Sequence, residues 1–234
     1  VVAMAPVLDE EAKIGEVVRR AKASVADEVV VIDDGSTDRS PEVARQLGAT
    51  VLPMGRTVGV GAALRAGYAY ARERGYDVAV VMAGNNKDSP EEIPVLLDPI
   101  ADGRADLVQG SRYLQAGADF GAMPMYRRLA TRAHPRLFSL VARRRVTDST
   151  NGFRAVRTSV LADPRLHLDQ AWLDGYELEP YLYLRVIRLG YPTAEAAVTK
   201  RYPPKALGQT KMKPVVDWWN ILRPLVYVGL GIRK

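Results

Sequence analysis

The sequence of 234 residues contains no cysteine, which excludes disulfides, catalysis by a thiolate and cysteine metal sites. It has two histidines, His134 and His167, which leave little room for a zinc site. Aromatic residues make up only 7% of the chain and no known nucleic-acid motif is present, so we expect no nucleic acid as partner. The absence of cysteine also agrees with a reducing compartment, and we expect a cytoplasmic protein.

Long hydrophobic runs are missing as well, since no apolar segment is long enough to span a bilayer and no signal peptide is visible. The apolar segment 218–232 is too interrupted to cross a membrane, but it either docks into the core or makes peripheral contact with a membrane surface. The net charge of +6 favours an anionic partner. Because the chain begins inside a predicted strand and without methionine, we expect further residues before Val1.

The sequence does contain short β-branched runs that alternate with amphipathic helical segments, and 47% of its residues are hydrophobic. This pattern predicts one α/β domain with a mostly parallel central sheet, helices on both faces and a helical or loop tail at the C-terminal end. The central predicted strand ends at a polar loop, 83–88, and Ser89 is predicted to cap the next helix. A further helix is predicted from Trp172 to Leu189.

Polar residues follow several predicted strands, at the edge of the sheet where ligands bind in open α/β folds. Asp33 and Asp34 follow the strand that begins at Val29. They are either a turn with an aspartate cap or a pair of acceptors for the base and ribose of a nucleotide. The small residues near Gly59 and Gly61 permit close backbone approach but do not form a dinucleotide fingerprint, so a Rossmann dehydrogenase fits poorly.

The order of these motifs resembles the family 2 inverting glycosyltransferases with the GT-A fold, and among them the dolichol-phosphate or polyprenyl-phosphate sugar transferases. The similarity extends from Val1 to about Lys213. It is carried by Pro-Val-Leu-Asp-Glu-Glu at 6–11, Val-Val-Ile-Asp-Asp-Gly-Ser-Thr-Asp at 30–38, Gly-Ser-Arg at 110–112, Gly-Phe-Arg at 152–154 and Gly-Gln-Thr-Lys at 208–211. The resemblance implies one glycosyltransferase domain, 1–234, with a nucleotide-sugar half (1–113), an acceptor half (114–212) and a tail (213–234).

The resemblance also implies an enzyme that transfers a sugar, with inversion, from a nucleotide-sugar donor to a polyprenyl phosphate or a small secondary metabolite. The residues assigned to the donor are Pro6, Leu8, Glu10, Asp33, Asp34, Gly59, Gly61, Asn85, Arg112, Arg201, Lys205 and Lys211. Asp148 and Glu179 are candidate catalytic bases, and the alternative for each is a structural salt bridge to a nearby arginine. A homo-oligomer is left open.

One motif departs from the family pattern. The family has Asp-x-Asp-x-Gln after the central strand, where these side chains hold a divalent metal ion against the donor pyrophosphate. The corresponding residues here are Ala83, Gly84, Asn85, Asn86 and Lys87. Either Asn85 and Asp88 still hold Mg²⁺ or Mn²⁺ through the donor phosphates, or Lys87 acts as a catalytic residue that supplies part of the missing positive charge.

Two other classes of protein are weighed against this one. A sugar nucleotidyltransferase would carry a glycine-rich loop after its first strand, where this chain has Pro-Val-Leu-Asp at 6–9. An inactive nucleotide-binding module is motivated by the altered metal motif. Transfer or hydrolysis of a donor by the purified protein would separate an enzyme from that module.

Overall fold

The computed structural model describes residues 1–115, 120–202 and 216–232, apart from the side chain of Val216. Within these ranges the strands are β1 Val2–Val7, β2 Glu28–Asp33, β3 Thr50–Pro53, β4 Val78–Val81, β5 Leu107–Ser111, β6 Arg154–Arg157 and β7 Thr193–Ala197. The helices are α1 Glu11–Lys22, α2 Ser40–Gln46, α3 Val60–Glu73, α4 Ile93–Ala101, α5 Met125–Ala142, α6 Thr158–Leu161, α7 Leu178–Arg188 and α8 Val216–Gly229. None of these helices is both long enough and apolar enough to cross a bilayer.

The described strands form one mixed sheet in the order β3-β2-β1-β4-β6-β5-β7. The pairs β1·β2, β1·β4, β2·β3 and β5·β7 are parallel, and β6 runs antiparallel to both of its neighbours, β4 and β5. The predicted α/β fold with a mostly parallel sheet is therefore confirmed. Because β1, β2, β4 and β5 point the same way, the loops that follow them meet at one edge of the sheet.

Alternation along the strands creates a hydrophobic core on each face of the sheet. In β1, Val2 and Met4 enter one core, while Ala3 and Ala5 enter the other. The first core is covered by α3, α5, α7 and α8, and the second by α1, α2 and α4. Strands with both faces covered consist of apolar residues with few interruptions, as β1, β2 and β4 do.

Two local predictions are wrong. The predicted helix from Trp172 to Leu189 is divided into a short 3₁₀ turn, Ala171–Leu173, and α7, which begins at Leu178. The residues between them contact the first turn of α3, where Asp174 O accepts hydrogen bonds from the backbone of that helix. Ser89 makes no capping hydrogen bond with its side chain, and α4 begins only after a 3₁₀ turn, Pro90–Glu92.

Candidate active site

A cavity of about 580 Å³ lies at the carboxyl ends of β1, β2 and β4 and extends toward α5, α7 and α8. Its position confirms the expectation that polar loops meet at this edge of the sheet. Nine of the residues singled out from the sequence line it: Pro6, Leu8, Glu10, Asp34, Gly59, Asn85, Lys87, Arg112 and Glu179. The cavity therefore contains both acidic and basic side chains on a partly apolar wall.

The two adjacent aspartates after β2 have different surroundings. The Asp34 carboxylate accepts hydrogen bonds from Val58 N at 2.7 Å and from Gly59 N at 3.1 Å, and burial raises its pKa in spite of these bonds. Asp33 Oδ1 accepts from Ser36 N at 3.0 Å within the turn, and Asp33 is not among the residues that line the cavity. The geometry favours the turn-cap interpretation for Asp33. The Asp34 carboxylate, by contrast, fixes the loop at Val58 and also faces the cavity.

Gly61 was expected to line the same crevice, but it lies in a packing contact. Gly61 N donates to Asp174 O at 2.7 Å, and a Cβ at this position would collide with Leu173 O. The absent side chain lets the first turn of α3 approach the backbone that precedes α7. Gly61 therefore positions α3 and does not line the cavity.

The loop after β4 directs its oxygen atoms in different directions. Asn86 has a left-handed backbone, with φ of 57°, and its Oδ1 accepts from Arg20 Nη1 at 2.7 Å. The buried Asp88 carboxylate accepts from Ala83 N at 2.8 Å and from Lys200 Nζ at 2.6 Å. Asn85 Oδ1 is buried with no hydrogen-bond partner in the described part of the chain.

These contacts do not fit a divalent metal ion held by the loop. Asp88 is already paired with a lysine, which leaves Asn85 Oδ1 as a neutral oxygen, and hard cations prefer carboxylates. Among residues 1–115, 120–202 and 216–232, no group of three or more histidine, aspartate or glutamate side chains is arranged to hold a metal ion. The proposed pair of ligands, Asn85 and Asp88, is thus not assembled as a metal site.

Cationic side chains gather at this position. Lys87 is only 6% exposed, and its Nζ lies 5.3 Å from the centre of the Tyr202 ring. The Arg127 guanidinium lies at the same distance from that ring, and Lys200 also lines the cavity. Burial first, and then the positive charges of Lys200 and Arg127, lower the pKa of Lys87 to about 7.

The cluster could be foreseen only in part from the sequence. Lys200 adjoins Arg201, which had been assigned to the donor, so the basic pair was a usable signal. Arg127 lies in α5 and carried no such signal. Arg201 itself is exposed and is not among the residues that line the cavity, and its backbone N donates to Lys87 O at 3.0 Å. Lys205 and Lys211 lie outside the described residues.

Asp148, one of the two candidate bases, forms a buried ion pair. It is 0% exposed, and its two oxygens accept from Arg112 Nε at 2.6 Å and Arg112 Nη2 at 2.8 Å. Burial alone would raise the pKa of Asp148, but the charge and hydrogen bonds of Arg112 outweigh it, so this pKa lies below the usual range. Asp148 does not line the cavity. This geometry favours the structural salt bridge over a catalytic base, and leaves Arg112 as the member of the pair that faces the cavity.

Glu179, the other candidate base, does face the cavity and is held by the Gly-Phe-Arg segment. Arg154, which is fully buried, places Nη2 3.4 Å from Glu179 Oε1, and its Nη1 donates to Glu179 O at 2.8 Å. A Cβ on Gly152 would lie 2.9 Å from Glu179 Oε1, so glycine leaves room for this carboxylate. Gly152 and Arg154 of this segment therefore position Glu179.

A mixed sheet of this order, with a polar cavity at the carboxyl ends of its parallel strands, is the architecture of sugar transferases with the GT-A fold. The model of the family described as "Glycosyl transferase family 2" matches residues 3–163. The chain therefore belongs to glycosyl transferase family 2, and it is a glycosyltransferase.

Comparison with individual proteins agrees with this assignment. The chain is 34% identical over 209 residues to a dolichyl-phosphate hexose transferase of Haloferax volcanii, covering 87% of this chain and 82% of that protein. It is 33% identical over 190 residues to an undecaprenyl-phosphate mannosyltransferase of Micrococcus luteus, covering 79% and 75% of the two chains. The fold resembles that of glucosyl-3-phosphoglycerate synthase from Mycobacterium tuberculosis, with a TM-score of 0.71, 21% identity and coverage of 97% and 78%. That structure contains Mn²⁺, uridine diphosphate and phosphoglyceric acid.

Proposed function

We propose that this enzyme transfers a sugar from a nucleoside diphosphate sugar to the phosphate of a polyprenyl phosphate. An acceptor phosphate oxygen attacks the anomeric carbon, the bond from that carbon to the diphosphate oxygen breaks, and the nucleoside diphosphate leaves. Attack from the face opposite the leaving group inverts the anomeric configuration. An ionised phosphate acceptor needs no general base, which agrees with the pairing of Asp148 to Arg112.

The chemistry of the cavity supports a division into donor and acceptor parts. Asp34 and the loop at Gly59 line the part of the cavity that would receive the base and ribose, and Lys87, in the loop that follows β4, lines the same cavity. Toward α7 and α8 the wall includes the aromatic and apolar side chains of Tyr176, Trp218 and Ile221, beside the polar Glu179, Asp217 and Asn220. Such a wall suits the first isoprene units of a lipid acceptor.

The observation that carries the lipid acceptor is the exposed surface of α5 and α8, the two helices that close this end of the cavity. We call it the interface face, and it consists of apolar and basic residues: Met125, Leu129, Arg132, Arg136, Leu140 and Trp219. Met125 is 67% exposed and Leu129 is 63% exposed. The five α5 residues lie on one stripe of the helix, and arginines beside apolar side chains suit an anionic lipid surface.

The transfer itself is tested with purified enzyme, labelled UDP-sugars and GDP-sugars, and two kinds of acceptor. We expect label to enter the organic phase when undecaprenyl phosphate is supplied in vesicles, and NMR of the product to show the inverted anomer. Label found only in a water-soluble product with a small phosphorylated acceptor would contradict the lipid acceptor. If no sugar is transferred and no donor is hydrolysed, the protein would instead be the inactive nucleotide-binding module.

The interface face is tested separately by sedimentation with phosphatidylglycerol vesicles. Leu129→Glu should lower the bound fraction several-fold, because it removes apolar contact and adds a negative charge beside anionic lipid. Val95→Glu is the matched control, since Val95 is 41% exposed on α4, on the other side of the sheet. Equal binding of both variants would contradict the role of this face.

A further inference from the structure

We propose that in this enzyme the side chains of Lys87, Lys200 and Arg127 bind the donor diphosphate in place of a divalent metal ion. The inference rests on the proposed use of a nucleoside diphosphate sugar and concerns how the same cavity holds it. A diphosphate must be neutralised in a partly dry site, by a metal ion or by protein cations. The structure supplies the cations, while Asn85 and Asp88 are not assembled as a pair of metal ligands.

Backbone contacts with the segment 200–202 fix the position of Lys87. Its carbonyl oxygen accepts from Arg201 N at 3.0 Å, and Asp88 pairs with Lys200 in an antiparallel bridge. These contacts join the loop after β4 to the segment 200–202, so that Lys87 and Lys200 both line the cavity. The Tyr202 ring packs against the Lys87 ammonium, which limits its movement.

The pairing of Asp88 explains why the loop favours an anion over a cation. A metal ion here would lie beside the ammonium group of Lys87, and like charges repel each other strongly in a partly dry site. The carboxylate of Asp88 is already 2.6 Å from Lys200 Nζ. An anionic diphosphate would instead relieve the mutual repulsion of Lys87 and Arg127, whose cationic groups both pack against the Tyr202 ring.

Arg127 extends the cluster to the acceptor side of the cavity. It lies on α5, its guanidinium packs 5.3 Å from the centre of the Tyr202 ring, and it lines the cavity with Lys87. A planar guanidinium can donate two parallel hydrogen bonds to phosphate oxygens, whereas an ammonium acts as a compact charge. The three side chains thus combine point charges with a directional donor.

The test measures binding and does not depend on turnover. UDP and GDP are titrated into the protein by calorimetry, first in excess EDTA and then with Mg²⁺ or Mn²⁺. We expect at least one of the two nucleotides to bind in EDTA, with an affinity that added metal changes by less than about twofold. Lys87→Met should weaken this binding by at least about tenfold, the effect of losing one charged hydrogen bond.

Two further variants separate charge from packing. Lys87→Gln places the family's uncharged residue at this position and should lose affinity as Lys87→Met does. Lys22→Met removes an exposed lysine at the far end of α1 and should bind like the wild type. Thermal unfolding of each variant checks that the fold persists, which we expect because these substitutions remove a charge from a buried position.

The outcomes distinguish this inference from the proposed function. If neither nucleotide binds with or without metal, the proposed function fails and the inference falls with it. If a nucleotide binds only when Mg²⁺ or Mn²⁺ is present, the proposed function survives and the cation cluster is refuted as a substitute for metal. Metal-free binding that is unchanged in Lys87→Met and Lys87→Gln would likewise overturn the assignment of Lys87.

Discussion

Replacing Asp148 by asparagine tests whether this residue is structural or catalytic. The substitution keeps the size of the side chain and one acceptor oxygen, but it removes the charge that balances Arg112. Both side chains are almost inaccessible, at 2% exposure for Arg112 and 0% for Asp148. The guanidinium would then be left as a buried charge without its carboxylate. We therefore expect the main effect to be a loss of stability.

The magnitude follows from the burial of the pair. Removing one partner of a buried, hydrogen-bonded ion pair costs about 3–5 kcal/mol, because the remaining charge is not compensated. The matched control is Asp102→Asn, which breaks a pair with Arg104 whose side chains are 58% and 62% exposed. Exposed pairs contribute about 0–1 kcal/mol, so this control should unfold almost like the wild type. Urea unfolding followed by circular dichroism measures both free energies.

The same pair gives a sign for the effect of pH on stability. The folded protein holds the pKa of Asp148 below the usual range, so the unfolded chain binds this proton more readily. The stabilisation is present above the unfolded pKa, about 4, and is lost as the pH falls through the lower folded pKa. Stability of the wild type should therefore fall more steeply on acidification in that range than stability of Asp148→Asn.

A contrary result is easy to recognise. If Asp148→Asn keeps the unfolding free energy of the wild type within about 1 kcal/mol while turnover falls by 100-fold or more, the role of a general base is restored. The argument from the buried pair would then be refuted. Loss of both stability and activity agrees with our expectation, since Arg112 also lines the cavity.

Two further predictions concern residues that face the cavity. Asp34→Asn should weaken binding of the nucleotide, measured by calorimetry, by at least about tenfold, because a charged hydrogen bond contributes about 1.5–3 kcal/mol. Asp33→Asn is the control and should change the affinity by less than about twofold. The reverse order would show that Asp33 is the donor residue. Glu179→Gln should leave turnover with polyprenyl phosphate within about threefold of the wild type, because an ionised phosphate needs no base. A fall of about 100-fold with this acceptor would refute the prediction and indicate that Glu179 acts as a base.

The sequence by itself determined the fold class and the edge of the sheet where ligands bind. Short β-branched runs such as those at 29–32 and 78–81 indicate strands covered on both faces, and the loops after parallel strands meet at the carboxyl edge. The family resemblance also pointed to Asp34 and Glu179, which both line the cavity. For the loop after β4, the sequence showed only that the residue types differ from those of the family.

Contacts between distant segments were decided only by the tertiary structure. The partner of Asp148 lies 36 residues away and the partner of Asp88 lies 112 residues away, so no local pattern could show that these carboxylates are neutralised. For the same reason Gly61 was assigned to the ligand when its neighbour is the backbone near Asp174. Local periodicity specifies strands and helices, because backbone conformation depends on near neighbours. Burial and ion pairing depend on which segments the fold brings together, and these determine whether a carboxylate binds a metal, accepts a proton or holds an arginine.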